Sequence, residues 1–164
     1  MKGWMALTIG IAAAISLAGC GGGGTEGGSA VEATSPFDAG PRAAEAPVDE
    51  ALAAKGEVLF KTKTCSTCHA FGMRITGPDL SGVTHRRSAQ WMEQQMLHPD
   101  VMTKTDPIAR ELLGKYAVQM PNLMLKPEEA KALIEFAKRK DRDKDAAGTP
   151  TAATTPTAAT TQGR

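Results

Sequence analysis

Aromatic side chains are scarce in this 164-residue chain, which holds four Phe, two Trp and one Tyr. With so few rings a small domain lacks bulk for its interior, and something other than side chains is needed to fill it. One-sided charge is absent as well. The formal net charge is +1 and no basic stripe interleaved with aromatics occurs, so nucleic-acid binding is set aside. No apolar run reaches the roughly 20 residues that a membrane-spanning helix needs. Nor does any segment alternate apolar with polar residues as a half-buried strand would.

What is present begins with a targeting pattern. Lys2 supplies a positive start, Met5 to Ala18 form an almost uncharged apolar run, and Leu17-Ala18-Gly19-Cys20 closes it. These four residues resemble the lipobox of bacterial lipoproteins, which implies a signal peptide over 1–19 and a lipidated Cys20 as the first mature residue. Several acyl chains would make such an anchor effectively permanent. The competing reading is an ordinary signal peptide with Cys20 as a stray thiol or a cleavage-region residue, and small residues preceding a lone Cys favour the lipobox. Residues 20–47 turn to Gly, Ser, Ala, Glu and Pro with no apolar period, and read as a flexible tether with a reach on the order of 30 Å. Residues 142–164 end in repeated Thr, Ala and Pro and read as a disordered tail.

Residues 48–141 carry the helix signals. Asp49 can cap a helix to about Lys61, with Leu52, Leu59 and Phe60 apolar. Gly56 inside it costs helix stability, so it marks a place where a neighbouring helix approaches closely. Ser88 caps a short helix bearing Trp91, Met92, Met96 and Leu97, ended by Pro99. Asp106 and Pro107 are an N-cap and first-position proline for a helix to about Lys115. Pro127, Glu128 and Glu129 open the last helix, with Ala130, Leu133, Ile134 and Ala137 at helical spacing and Lys138 to Lys140 at its positive end. The expectation is an all-α domain of four or five short helices.

The chemistry lies in Cys65-Ser66-Thr67-Cys68-His69, the C-x-x-C-H pattern of c-type haem attachment. Two thiols three residues apart can add to the vinyl groups of adjacent pyrrole rings, and the next histidine is then carried under the porphyrin. A thioredoxin-like dithiol would need a βαβ setting, and zinc would need further ligands, for which only His85 and His98 remain. One covalent haem c is the expected cofactor.

With that motif in place, Asp49 to Lys140 resembles the class I cytochromes c. Gly56 and Phe60 resemble the family's first helix, and Gly77-Pro78-Asp79-Leu80-Ser81-Gly82 its loop after the haem attachment. Met120-Pro121-Asn122 resembles the distal methionine loop, and Leu133 with Phe136 the final helix. The resemblance implies a small cytochrome c fold around the haem, with Gly56 of the first helix against Phe136 of the last. It further implies His69 and Met120 as iron ligands and the Pro78 carbonyl as acceptor for the other ring nitrogen of His69. Lys126 departs from the pattern, standing where Ser, Thr or Asp usually caps the last helix.

Read from the residues alone, Met73, Met92, Met96, Met102, Met120 and Met124 all compete for the sixth position. Met92 and Met96 have helical packing spacing, and Met102 is expected in a loop. Met120, before Pro121 between two helices, can present its sulfur without breaking helical hydrogen bonds, while Met124 and His98 remain alternatives. Trp91, Arg86 or Arg87 is a candidate to hydrogen-bond a haem propionate.

Histidine and methionine together leave iron no open position, so a one-electron carrier is expected and not an enzyme. Its partners would be redox proteins as donor and acceptor, and a membrane through Cys20, with no nucleic acid and no small-molecule substrate. Its location would be the bacterial cell envelope, facing the periplasm or the outside. A fixed subunit of a larger oxidase or reductase, or a haem enzyme or sensor with a labile distal methionine, are the competing readings. Lys61 and Lys63, beside the attachment loop, are the expected steering charges for a negative partner.

Overall fold

The computed structural model describes residues 34–148. The signal segment 1–19, Cys20, residues 20–33 of the expected tether and residues 149–164 of the expected tail lie outside the described residues. Six α-helices and three short 3-10 turns are present among those described, with no strand beyond two isolated bridges. The helices are α1 (Glu50–Thr62), α2 (Val83–Arg86), α3 (Ala89–Leu97), α4 (Pro99–Thr105), α5 (Pro107–Tyr116) and α6 (Pro127–Gly148). The all-α class holds, with more helices than the four or five expected.

Helix starts follow the side chains that cap them. Asp49 accepts from the Leu52 N–H at 3.0 Å, Ser88 from Trp91 at 3.1 Å and Asp106 from Ala109 at 2.9 Å. The additional helix arises at Pro99. α3 stops at Leu97 as expected, but Pro99 at once opens α4, because the first helical position needs no N–H. Met102 therefore lies on a helix and not in a loop, and only 2% of it is exposed.

Lys126 caps nothing with its side chain, and Glu129 compensates. Its Oε2 accepts from the Lys126 N–H at 2.9 Å, the glutamate half of a capping box, while Lys63 lies 3.0 Å from Oε1. The backbone N–H first, and then Lys63, hold the Glu129 carboxyl below the usual carboxylate range. The C-terminal end of α6 also differs from expectation, since residues 142–148 continue the helix instead of beginning a tail. Long-range partners keep it wound. The buried Asp141 carboxylate accepts from the Gly82 N–H (2.6 Å), the Thr84 N–H (3.1 Å) and the Thr84 hydroxyl (2.7 Å). Further along, Arg142 pairs with Glu50, and His85 lies 2.9 Å from Asp145.

Residues 34–47, expected as tether, are folded onto the domain. Their two turns, Pro36–Asp38 and Ala43–Glu45, are tied down by Asp38, which accepts from the Ser88 N–H at 2.6 Å and from Arg42 at 2.9 Å. Ser88 returns a hydrogen bond to the Phe37 carbonyl at 2.8 Å, and buried Ala43 joins the core with Phe37 packed against it. The buried Lys138 ammonium donates to the Pro47 carbonyl at 2.7 Å. Apart from Arg42, these partners lie some fifty or ninety residues away, where no local pattern registers them.

The most extensive helix packing is α1 against α6. It crosses at Gly56, where an added Cβ would collide with the Ala132 carbonyl and come within 2.8 Å of Phe136 Cβ. The crossing places Phe60 and Phe136 in ring contact, with centroids 5.5 Å apart, and Phe71 completes the cluster at 5.7 and 5.5 Å.

Gly56→Ala sets two effects against each other. Helix propensity would favour alanine by about 1 kcal/mol, whereas overpacking against backbone costs about 1–3 kcal/mol or more. The clash is with a carbonyl that cannot rotate away, so the variant should melt several degrees lower by circular dichroism. An unchanged or raised melting temperature would show that the crossing yields.

Candidate functional site

The helices surround a cavity of about 270 Å³, to which each contributes at least one wall residue except the segment before Glu50. Its walls are mostly apolar, with Phe60, Phe71 and Phe136 on one side and Leu112, Leu113 and Leu123 among the rest. Cys65, Cys68, His69, Pro78 and Met120, far apart in sequence, all line it.

The attachment segment begins where α1 ends. Thr64 takes a left-handed conformation (φ 59°), which turns the chain into the 3-10 turn Cys65–Thr67. The His69 N–H donates to the Cys65 carbonyl at 3.0 Å, which folds the segment back on itself so that Cys65, Cys68 and His69 all face the cavity. Both cysteines are unpaired, and burial pushes the Cys65 thiol up in pKa. His69 Nδ1 lies 3.0 Å from the Pro78 carbonyl, an arrangement that assigns the proton to Nδ1 and leaves Nε2 to ligate.

The loop after His69 is built to hold that geometry. The Gly77 N–H donates to the Cys68 carbonyl and the Leu80 N–H to the Ala70 carbonyl, each at 2.9 Å. Asp79 Oδ1 accepts from the Gly72 and Ser81 N–H groups, both at 2.8 Å, closing the loop on itself. At Gly77 a Cβ would sit 2.6 Å from His69 Cε1, so any side chain there would push the ring aside. Neither role was read from the sequence, although Asp two residues before Ser in a Gly/Pro-rich stretch is an Asx-turn signal. At the end of α5, Arg74 reaches from this loop to lie over the Tyr116 ring, 4.6 Å from its centroid.

On the distal side the methionines separate. Met120 lines the cavity, as do Met92 and Met96 from α3. Met124 is 80% exposed and Met73 62%, Met102 is packed in the core away from the walls, and exposed His98 lies between α3 and α4. The Gln95 carboxamide donates to the Met120 sulfur at 4.0 Å, and its buried Oε1 has no partner among the described residues. Nothing in the sequence distinguishes Gln95 from an ordinary helix-surface glutamine.

The candidates for a propionate, Trp91, Arg86 and Arg87, all line the cavity and also have protein partners. Trp91 donates its indole N–H to Asp106 at 3.1 Å, Arg86 donates to the Ser81 carbonyl at 2.9 Å, and Arg87 lies 3.4 Å from Asp38. Lys61 is bridged to Glu57 at 3.3 Å and Lys63 to Glu129 at 3.0 Å, so each of the two lysines has a carboxylate beside it.

Two thiols, an imidazole with one nitrogen left over and a thioether, lining an apolar cavity with three phenylalanines in one wall, are the donor set and surroundings a covalent haem requires. The residues present fit the group.

A cytochrome c family model matches residues 53–139. Cytochrome c-551 of Pseudomonas denitrificans is 33% identical over 82 residues, which cover 49% of this chain and 92% of that protein. Among solved structures, a cytochrome c from Rhodothermus marinus is similar with a TM-score of 0.57 and 33% identity, over 62% of this chain and 96% of that one. An engineered form of the Rhodothermus marinus protein, covering the same shares, gives a TM-score of 0.56 at 32% identity.

Backbone donors, that of Ser81 foremost, hold the Asp79 carboxyl below the usual carboxylate range. A depressed folded-state value means that its contribution to stability is complete above the unfolded pKa of about 3.9 and is lost as pH falls through the lowered value. Asp79→Asn should therefore be less stable than the parent at pH 7. The gap should narrow as pH drops below about 4, when urea melts are run at both ends. A gap that ignores pH would rule out the carboxylate as the clamp.

Proposed function

Since the chain belongs to the cytochrome c family, we propose that it is a lipid-anchored mono-haem carrier of single electrons, facing the periplasm or the exterior of a bacterial cell. The observation that carries the reading is the convergence of His69 and Met120 on one cavity, beside the Cys65 and Cys68 thiols. Bound haem supplies a ferric/ferrous couple. The protein's own part is to fix the two side chains that would hold the iron, His69 and Met120. The Pro78 carbonyl orients the His69 ring and the Gln95 carboxamide meets the Met120 sulfur. Held by the His69 imidazole and the Met120 thioether together, the iron would have no vacancy for oxygen or a substrate, which favours a carrier over a catalyst. The apolar walls keep water from the metal and limit the rearrangement that a change of charge would otherwise provoke.

The anchor rests on Leu17-Ala18-Gly19-Cys20, whose thiol would carry the acyl chains. Among the described residues no helix is long and apolar enough to cross a membrane. Donor and acceptor are proteins, in keeping with the family.

Met120→Ala should abolish the sulfur-to-iron charge-transfer band of the ferric protein and lower its potential, because thioether ligation favours the ferrous state. Met124→Ala, altering a residue that is 80% exposed, should change neither. A band that survives the first substitution and vanishes with the second would transfer the ligand role to Met124.

The anchor is tested separately by growing cells with radiolabelled palmitate. Label should enter the intact protein and sediment with membranes, and Cys20→Ser should release an unlabelled, haem-loaded form. Labelling that persists in Cys20→Ser would refute the lipobox assignment.

A further inference from the structure

Met120 sits in a stretch without secondary structure between α5 and α6, and such a segment needs something to hold it. The Gln119 side chain occupies that place. Its Oε1 accepts from the Thr103 hydroxyl at 2.8 Å, and its Nε2 donates to the Pro99 carbonyl at 3.2 Å and to the Met120 carbonyl at 3.1 Å. Acceptor and donors of one carboxamide are thus all engaged. Two of the partners belong to α4, whose Met102 is buried in the core, so the anchor point is rigid. Thr103 and Gln119 also line the cavity beside Met120.

We propose that Gln119 is a positioning residue that latches the distal loop to α4 and so sets how readily the Met120 sulfur leaves the iron. The inference rests on the reading of Met120 as distal ligand. Gln95 touches the sulfur itself, whereas Gln119 holds the backbone from which the sulfur hangs. Breaking the latch frees the loop to swing without removing the donor. A variant without the latch would then spend more time with the Met120 sulfur away from the iron, although its resting spectrum would be unchanged.

The experiment uses the ferric holoprotein, with imidazole as an exogenous ligand whose entry requires the sulfur to depart. Stopped-flow binding is followed in the parent, Gln119→Ala, Thr103→Val and Met120→Ala. Each lost neutral hydrogen bond is worth a factor of about 2–13 in an equilibrium, so Gln119→Ala should bind imidazole about tenfold faster. Thr103→Val, which removes one of the three bonds, should show a smaller increase of the same sign. Both variants should keep the charge-transfer band at neutral pH and lose it on raising pH earlier than the parent does. Met120→Ala should lack the band and bind imidazole fastest. If Met120→Ala lacks the band while Gln119→Ala and Thr103→Val bind at the parent rate, the latch is refuted and the ligand assignment stands. If Met120→Ala keeps the band, the ligand assignment falls and the latch falls with it.

Discussion

Where α1 crosses α6, the backbone at Gly56 lies against the Ala132 carbonyl with no room for a methyl group. That approach decides where the chemistry goes. It brings Phe60 and Phe136 into contact and so builds one wall of the cavity, and it sets the direction in which α1 ends. The left-handed turn at Thr64 then delivers Cys65, Cys68 and His69 to that wall. The Lys63–Glu129 bridge joins the end of α1 to the start of α6, fastening the same pair of helices at a second point. A larger residue at the crossing would move the attachment segment as a unit.

His69 and Met120, the side chains that would hold the iron, are fixed by different means. His69 is fixed by backbone, through the Pro78 carbonyl and the space left at Gly77, and that loop is closed by Asp79. Met120 is approached by side chains of α3 and of its own neighbour, and its segment has no helical bonds. Backbone constraints have few soft torsions, whereas glutamine carboxamides sit on flexible stems. The fold thus places its stiffness on the histidine side and its compliance on the methionine side.

Much of this was legible in the sequence because it is local. The C-x-x-C-H segment, the caps Asp49, Ser88 and Asp106, and the glycine in α1 each announce themselves within a few residues, and the geometry places them as expected. What was missed depends on distant partners. Residues 34–47 look like linker by composition, yet Asp38 finds Ser88 and Pro47 finds Lys138. The last turns of α6 look like tail, yet Arg142 finds Glu50 and Asp145 finds His85. Lys61 and Lys63 look free until their carboxylates on α1 and α6 come into view. Even the extra helix is a local signal misjudged, since a proline that ends one helix is also well suited to begin the next.

The knot that Asp38, Arg42 and Ser88 tie near the start of the described chain bears on mechanics. Any pull on the polypeptide ahead of residue 34 meets this knot first. It is passed to α3 through Ser88 and, through Lys138 and Pro47, to α6, before any of it arrives at Glu50. A pull from that direction would be shared by these side-chain bonds before it travelled along the backbone to the Cys65 to His69 turn.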